Sequence, residues 1–492
     1  MDSLDPSPDE IRHWGHAAVE IMAEYLGSIK RRRVYPDTNS KQIRHQLDRK
    51  VPTAGTHFEA VLERFRETII QLSRHNGHPR MFGYVQGPGT ALAAIADLLA
   101  STLNANLTAW RSAPAGVEIE RLTIDWIKEL IGYNQDATGL FLSGGSMANM
   151  AALMAARRSK APEELLTKGA RLLPQAMRLY VSEETHHSIA KAAALLGIGR
   201  DNVRRVSVDE NFRIRIDDLV GKIAEDLDAG HLPFCVVANA GTVMTGAFDP
   251  LPEVSEVARR FDLWMHVDAC YGGFAAIANS TRSLFTGIAE ADSVALDPHK
   301  WLYLPVDCGC LLYRDPQTAR ATFAHEAEYT RVIAQEADEA FAFWDYGPEL
   351  SRRFRALKVW MALQTIGVRR FSEAIEKNLA SARHLQKLVV QSNDFEMLAP
   401  VELSTFCFRY IPTRYKLMLA KIEGSEHERI QRELDTLNER VLIELQRGGS
   451  SYLSNALIHG RFALRGCVLN YRTELRDMEI LLDDLRRAAS HV

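Results

Sequence analysis

Lys300 is the residue of this sequence best placed to do covalent chemistry. It lies in Asp297-Pro298-His299-Lys300-Trp301, directly after the apolar run Val294, Ala295, Leu296. The end of an apolar run is an odd place for a solvated surface charge. Pro298 argues against a helix here and favours an extended or turning backbone. The segment therefore predicts a lysine held at a strand end and partly desolvated. A desolvated ammonium loses its proton more readily and becomes a nucleophilic amine, as a Schiff base requires. Taken alone, a lysine that merely ends a core strand is the simpler reading.

Two other stretches change that balance. Trp264-Met265-His266-Val267-Asp268 is an apolar strand with a carboxylate at its end, and Cys270-Tyr271-Gly272-Gly273 follows. Ser143-Gly144-Gly145-Ser146-Met147-Ala148-Asn149 is a turn of small residues leading into a helical run. Glycines let a backbone approach a phosphate closely, and the N–H groups of a helix start attract an anion. It is neither a GxGxxG nor a Walker loop, so a nucleotide reading is weak. A Schiff-base lysine, a buried carboxylate and a phosphate cradle are together what pyridoxal phosphate needs from a protein.

These stretches resemble the group II pyridoxal-phosphate-dependent amino-acid decarboxylases, whose members act on aromatic amino acids, glutamate or histidine. The lysine signature runs here from Ser293 and Val294 through Lys300 and Trp301 to Cys308 and Tyr313. The likeness extends from the helix near Ile11 to the one near Leu485. It implies the aspartate-aminotransferase-like α/β fold, fold type I. That fold has a large domain around a mostly parallel sheet, a small carboxyl-terminal α+β domain and an amino-terminal helical arm. The expected boundaries are 1–88, 89–370 and 371–492.

The resemblance also assigns roles. Gly145 and Ser146 would hold the cofactor phosphate. His186 would stack on the pyridine ring and help position the substrate carboxylate. Thr242 would supply a hydroxyl, although the second threonine common in relatives is Val243 here. Asp268 would keep the pyridine nitrogen protonated, so that the ring accepts electrons from the α-carbon. Cys270 stands where relatives usually pack an alanine under the ring, and Asp297 where several have asparagine near the phosphate. An acid there would repel the phosphate unless solvated or paired. His299 would contact the phosphate or the lysine linkage. Counting forward from Lys300 and back from Arg352-Arg353-Phe354 reaches the same residue, Tyr329, for the tyrosine that returns a proton to the α-carbon; Tyr346 is the second candidate. Phe82 and Tyr84 either contact the substrate ring or plug the domain edge. Arg465 resembles an arginine that meets a substrate carboxylate in the glutamate branch, or is simply a paired strand arginine.

The elements that position these residues follow from periodicity. Ser7-Pro8-Asp9-Glu10 reads as a helix start. Ile11, Trp14, Ala18, Ile21, Met22, Tyr25 and Ile29 then recur at helical spacing. This apolar face either packs on its own domain or, as in the family, clasps a second subunit. A second helix is predicted over 57–74. Apolar runs at 139–142, 179–182, 234–238, 263–267, 293–296 and 309–313 predict strands between helices, hence a mostly parallel sheet buried on both faces. Ligands bind at the carboxyl ends of such strands, where the main cofactor candidates fall. A long helix over 425–446 ends at Gly448-Gly449, and a strand is predicted over 462–469.

The bulk properties exclude more than they assign. The 492 residues are 46% hydrophobic and 25% charged, an ordinary globular composition, with a net charge of −4 that gives no pull toward nucleic acid. The six cysteines are sparse and lie mostly in apolar strands, so reduced buried thiols are expected, and no metal-binding spacing occurs. No membrane span or secretory pattern is present, which favours a cytoplasmic protein.

The reading is a homodimeric, pyridoxal-phosphate-dependent decarboxylase of an aromatic L-amino acid, with active sites at the subunit interface. The rivals are a decarboxylase of an acidic amino acid, motivated by Arg465, and an oxygen-dependent aromatic aldehyde synthase. In that last branch phenylalanine replaces the tyrosine, so Tyr329 argues against it. A cysteine desulfurase and a non-enzymatic nucleotide-binding protein fit less of the chain.

Overall fold

Strands β1 (Thr138–Leu142), β2 (Met177–Ser182), β3 (Val203–Val206), β4 (Leu232–Asn239), β5 (Trp264–Asp268), β6 (Ser293–Leu296) and β7 (Gly309–Tyr313) form one sheet in the order β1-β7-β6-β5-β4-β2-β3. The computed structural model describes residues 4–47, 50–162, 164–169, 175–325 and 338–492. Pairings from β3 through β2, β4 and β5 to β6 are parallel. Strand β7 runs antiparallel to both its neighbours, β1 and β6. The central strands β4 to β7 are buried along almost their whole length, as continuous apolar runs covered on both faces must be.

Six of these strands coincide with predicted apolar runs. Strand β3 does not, because its sequence Val203-Arg204-Arg205-Val206 lies at the sheet edge, paired only with β2. An edge strand tolerates charged residues that a central one cannot.

The chain divides into two compact units. One comprises Val85–Gln386 and Ala399–Cys407 and holds the seven-stranded sheet; the other comprises Met1–Tyr84, Lys387–Leu398 and Phe408–Val492. A second sheet, ordered β10-β11-β9-β8, consists of β8 (Phe395–Met397), β9 (Thr405–Tyr410), β10 (Ser454–Ile458) and β11 (Arg461–Cys467). The predicted long helix spans Gly424–Gly448 and ends on Gly449, whose φ of 72° is the left-handed conformation glycine adopts without strain. The amino-terminal helix Pro8–Ser28 carries the expected capping box of Ser7 and Glu10, and none of its residues is buried. The predicted second helix is shorter, Phe58–Arg64, and continues as a wider π-turn over Phe65–Ile70.

One polar constraint lies inside the larger unit. Arg352 pairs with Glu120, both fully buried, and donates to the carbonyls of Leu107 (2.7 Å) and Phe141 (3.0 Å). Glu120 also accepts from the Phe141 N–H at 2.9 Å, and the guanidinium lies 4.1 Å from the Phe343 ring centre. This ties the helix Pro114–Ile131, strand β1 and the segment around Phe343 together. Removing one partner strands a buried charge, which costs about 3–5 kcal/mol. Glu120→Ala is therefore expected to lower the denaturant midpoint by that equivalent, and a loss below ~1 kcal/mol would mean that Arg352 finds another counter-charge.

Candidate active site

The parallel strands deliver the candidate residues to their carboxyl ends. Asp268 is the last residue of β5, Asp297 follows β6, and His186 stands four residues beyond β2. Lys300 sits in a single helical turn, Pro298–Trp301, so the chain does turn here but as helix, which Pro298 was expected to disfavour. Proline occupies the first position of that turn, where its missing N–H costs nothing and its fixed φ suits a helix. The turn brings the Lys300 Nζ back to 2.9 Å from the Asp297 Oδ2, a pair three residues apart.

That contact reverses the expected protonation of the free protein. Burial alone lowers the Lys300 pKa, but Asp297, with Asp268 further off, outweighs it and holds the amine above the usual lysine range. Lys300 is thus an ammonium paired with a carboxylate. The same pairing accommodates the acid at position 297. Asp297 is buried and its Oδ1 lacks a hydrogen-bond partner, while His299 Nε2 lies 3.8 Å from its Oδ2. The other nitrogen of His299, Nδ1, donates to the Cys308 carbonyl at 2.7 Å, so the Nε2 side is left for other contacts.

Asp268 is buried yet ionised. Burial pushes its pKa up, but His266, the Cys270 side chain, Lys300 and the Asn149 amide together hold it below the ordinary aspartate value. The Cys270 N–H reaches its Oδ1 at 3.1 Å and Asn149 Nδ2 reaches its Oδ2 at 2.8 Å. Asn149 lies one helical turn beyond Ser146. It also donates to Ser188 Oγ (3.0 Å) and accepts from His266 Nε2 (3.0 Å). Ser188 Oγ in turn lies 2.8 Å from His186 Nδ1. Burial lowers the His186 pKa more than Asp268 raises it, so this ring is neutral. Asn149, Ser188, His266 and Ser293 were not foreseen as site residues. The signal available was the alternation Trp264, His266, Asp268, which puts all three on one face of β5.

Gly145 opens the helix Gly145–Lys160, and no side chain caps that end. A Cβ on Gly145 would collide with Cys270 Sγ and come within 2.9 Å of Asp297 Oδ2. Ser146 is exposed beside it. The Cys270 thiol is kept protonated by burial and by the carboxylates of Asp268 and Asp297. Thr242 is buried; its hydroxyl accepts from the Ala247 N–H (3.1 Å) and meets Thr245 Oγ1 at 3.0 Å, closing a turn after β4. The donor set fits pyridoxal phosphate. It has an uncapped helix start for an anion, an ionised carboxylate for a ring N–H and an amine for a carbonyl carbon, with a flat neutral imidazole.

A family profile, the pyridoxal-dependent decarboxylase conserved domain, matches residues 40–411. The chain belongs to the pyridoxal-dependent decarboxylases. An aromatic-L-amino-acid decarboxylase from Bacillus atrophaeus is 32% identical over 491 residues, covering 100% of this chain and 98% of that protein. Mouse CSAD superposes with a TM-score of 0.91 at 28% identity, covering 98% of this chain and 99% of that one. Oryza sativa TDC, solved with PLP and tryptamine, gives 0.89 at 26% identity over 99% of each. The protein is a pyridoxal-phosphate-dependent amino-acid decarboxylase of fold type I, and pyridoxal phosphate is its cofactor.

The remaining candidates of the decarboxylase are placed as follows. Tyr329 lies outside the described residues. Tyr346 is half-buried and stacked on Phe341, ring centres 5.3 Å apart. Phe82, Tyr84 and Arg465 belong to the second compact unit. There Phe82 is buried and bonded through its backbone to Tyr452 and Cys467. Tyr84 is half-exposed, with a φ of 63° and Arg74 lying 4.8 Å from its ring centre. Arg465 is buried and donates to Ser454 Oγ at 3.3 Å. All six cysteines are buried, and none is joined in a disulfide. No helix among the described residues is long and apolar enough to cross a membrane.

Two measurements check this geometry. Gly145→Ala overpacks the helix start and is expected to cost about 1–3 kcal/mol, with part of the loss recovered when Cys270→Ala removes the sulfur it strikes; no recovery would mean that another contact limits the site. His266 is buried and held neutral, its pKa pulled down to about 4. Below pH ~6.5 the unfolded chain takes up a proton that the folded one refuses until about pH 4, so this term is fully present above 6.5 and is lost as pH falls. The denaturant midpoint of the wild type should therefore drop more between pH 7 and 4.5 than that of His266→Gln; parallel slopes would show that His266 is protonated in the fold.

Proposed function

We propose that this decarboxylase takes an aromatic L-amino acid of the tryptophan, tyrosine, phenylalanine or dihydroxyphenylalanine type and releases carbon dioxide and the amine. The observation that carries the reading is the 32% identity, end to end, with an aromatic-L-amino-acid decarboxylase. The bond between the α-carbon and its carboxylate breaks, and a proton takes its place.

The cofactor, when bound, supplies an electron sink for the pair left on the α-carbon. The residues of this chain do the rest. Lys300 would hold the cofactor through its amine. Asp268, buried and ionised, keeps a proton on the ring nitrogen and so makes the sink effective. The N–H groups of Gly145 and Ser146, with His299, hold the phosphate, and Thr242 supports the turn beside them. Asp297 neutralises the Lys300 ammonium. Cys270 would pack under the ring, and His186 would lie against it and orient the substrate carboxylate. Tyr329 returns the proton to the α-carbon. Phe82 and Tyr84 contact the substrate ring.

The proposal includes a cytoplasmic homodimer with active sites completed by the second copy, and the division into an arm (1–88), a large domain (89–370) and a small domain (371–492). Two features support the dimer. The helix Pro8–Ser28 buries none of its residues, with Ile11 and Val19 exposed. The helix Ala91–Leu103 exposes Ile95, Leu98, Leu99 and Leu103 together. Apolar faces of this kind mark surfaces that another chain covers.

A second reading keeps decarboxylation and takes an acidic amino acid, with the buried cation Arg465 as partner of the extra carboxylate. The test follows amine, aldehyde, ammonia and hydrogen peroxide together for each aromatic amino acid in air. Amine without peroxide is expected, with Tyr329→Phe moving the product toward aldehyde and Lys300→Ala losing the cofactor absorbance. Aldehyde with matching peroxide from the wild type would remove Tyr329 from its role. Turnover of glutamate or aspartate alone, abolished in Arg465→Met, would establish the second reading.

A further inference from the structure

The polar groups buried behind Asp268 form a connected chain, and its directions follow from the members that can only donate or only accept. The Trp264 indole N–H can only donate, and it reaches Ser293 Oγ at 2.9 Å. Ser293 lies across from His266 in the β5–β6 pairing, and its Oγ is 2.9 Å from His266 Nδ1. At the other side of that ring Nε2 faces the Asn149 carbonyl oxygen, 3.0 Å away. The Asn149 amide cannot be turned round, because its oxygen would then oppose the Asp268 carboxylate at 2.8 Å. His266 Nε2 must therefore donate. The ring is neutral, so Nδ1 must accept, and the Ser293 hydroxyl points its proton at it. The two Asn149 amide protons go to Asp268 Oδ2 and Ser188 Oγ. The Ser188 oxygen keeps a second lone pair, so the direction toward His186 Nδ1, 2.8 Å away, is set by the backbone. The Ser188 N–H can only donate to that nitrogen, 3.3 Å away, which makes Nδ1 an acceptor and turns the hydroxyl proton toward it as well. Trp264, Ser293, His266, Asn149 and Ser188 are all buried, so no solvent competes for these directions.

We propose that this relay, anchored at Trp264 and passing through Asn149, keeps His186 as a neutral ring with its proton on Nε2, and that Asn149 couples this tautomer to the orientation of Asp268. Asn149, Ser188, His266, Ser293 and Trp264 are positioning residues. The inference rests on the reading that His186 faces the cofactor and substrate carboxylate. It adds a chemical reason for a neutral donor. A substrate carboxylate that must leave as carbon dioxide loses its charge on the way. A charge-assisted bond from an imidazolium would be stronger in the ground state than in the transition state and would slow that loss. A neutral Nε2–H orients the carboxylate with less of that penalty.

The test is ¹⁵N spectroscopy of the full-length holoenzyme labelled at histidine, with His186→Gln identifying the signal. The wild type is expected to carry a protonated Nε2 and a bare Nδ1 on His186. Ser188→Ala removes the hydroxyl donor and Trp264→Phe the anchor; each should shift His186 toward a mixture of tautomers. Ser188→Ala should lower kcat/KM roughly 10- to 100-fold, the range for partners that orient an imidazole. Its cofactor absorbance and melting should stay as in the wild type, and Ser188→Thr should restore the tautomer. Asn149→Ala should in addition speed cofactor release, because Asp268 loses its amide. A proton on Nδ1 of His186 in the wild type, or unchanged His186 signals in both Ser188→Ala and Trp264→Phe, would overturn the relay. A wild type that neither takes up pyridoxal phosphate nor decarboxylates would overturn the functional reading instead, with the tautomer still read from the same spectrum.

Discussion

An ionised carboxylate inside a protein persists only where hydrogen bonds and opposing charge replace the water it has lost. Asp268 is such a group, and much of the larger unit is arranged to keep it charged. Its amide partner, Asn149, rides on the helix Gly145–Lys160, so that helix must lie close against the face of β5. Ala148, Ala151, Ala152, Ala155 and Ala156 are buried along it. A helix with methyl groups on its inner face can approach a sheet closely, and the same approach leaves no room for a side chain on Gly145. Helix packing, the start of the anion cradle and the charge state of Asp268 are thus one constraint met once.

A second electrostatic balance sits one strand away. Asp297 and Lys300 are brought together by a single turn, with Pro298 shaping its start. In the free protein each offsets the cost of burying the other. The amine of the free protein is therefore held as an ammonium. Desolvation and a neighbouring carboxylate push a lysine in opposite directions, and here proximity outweighs burial. The apolar run before Lys300 carried the first effect. The second depended on how the chain turns.

How far the site was legible depended on the length of chain involved. Lys300, Asp268, His186 and Gly145 each stand at the end of an apolar run, and strand ends are where such sheets place ligands. Their neighbourhood could be inferred from local pattern alone. Asn149, Ser188 and Ser293 are partners of partners, each contributed by a different element, and nothing in their local sequence marks them. Strand β3 carries no apolar signal for a related reason. Its two arginines are tolerated because it lies at the edge, and edge position is a property of the sheet order.

The amino-acid sequence by itself determined the alternation of buried strands and helices, the capped amino-terminal helix, the glycine stop at Gly449 and the residues that could meet a pyridoxal cofactor. These follow from periodicities and conformational limits that act over a few residues. Tertiary structure alone decided the protonation of Lys300, the ionised state of Asp268 and the direction of every hydrogen bond between Trp264 and His186. Charge and hydrogen-bond direction depend on what lies within a few ångströms in space. Some of those neighbours lie far apart along the chain, as Asn149 and Asp268 do, 119 positions apart; others, such as Asp297 and Lys300, are three residues apart and meet only because the chain turns there.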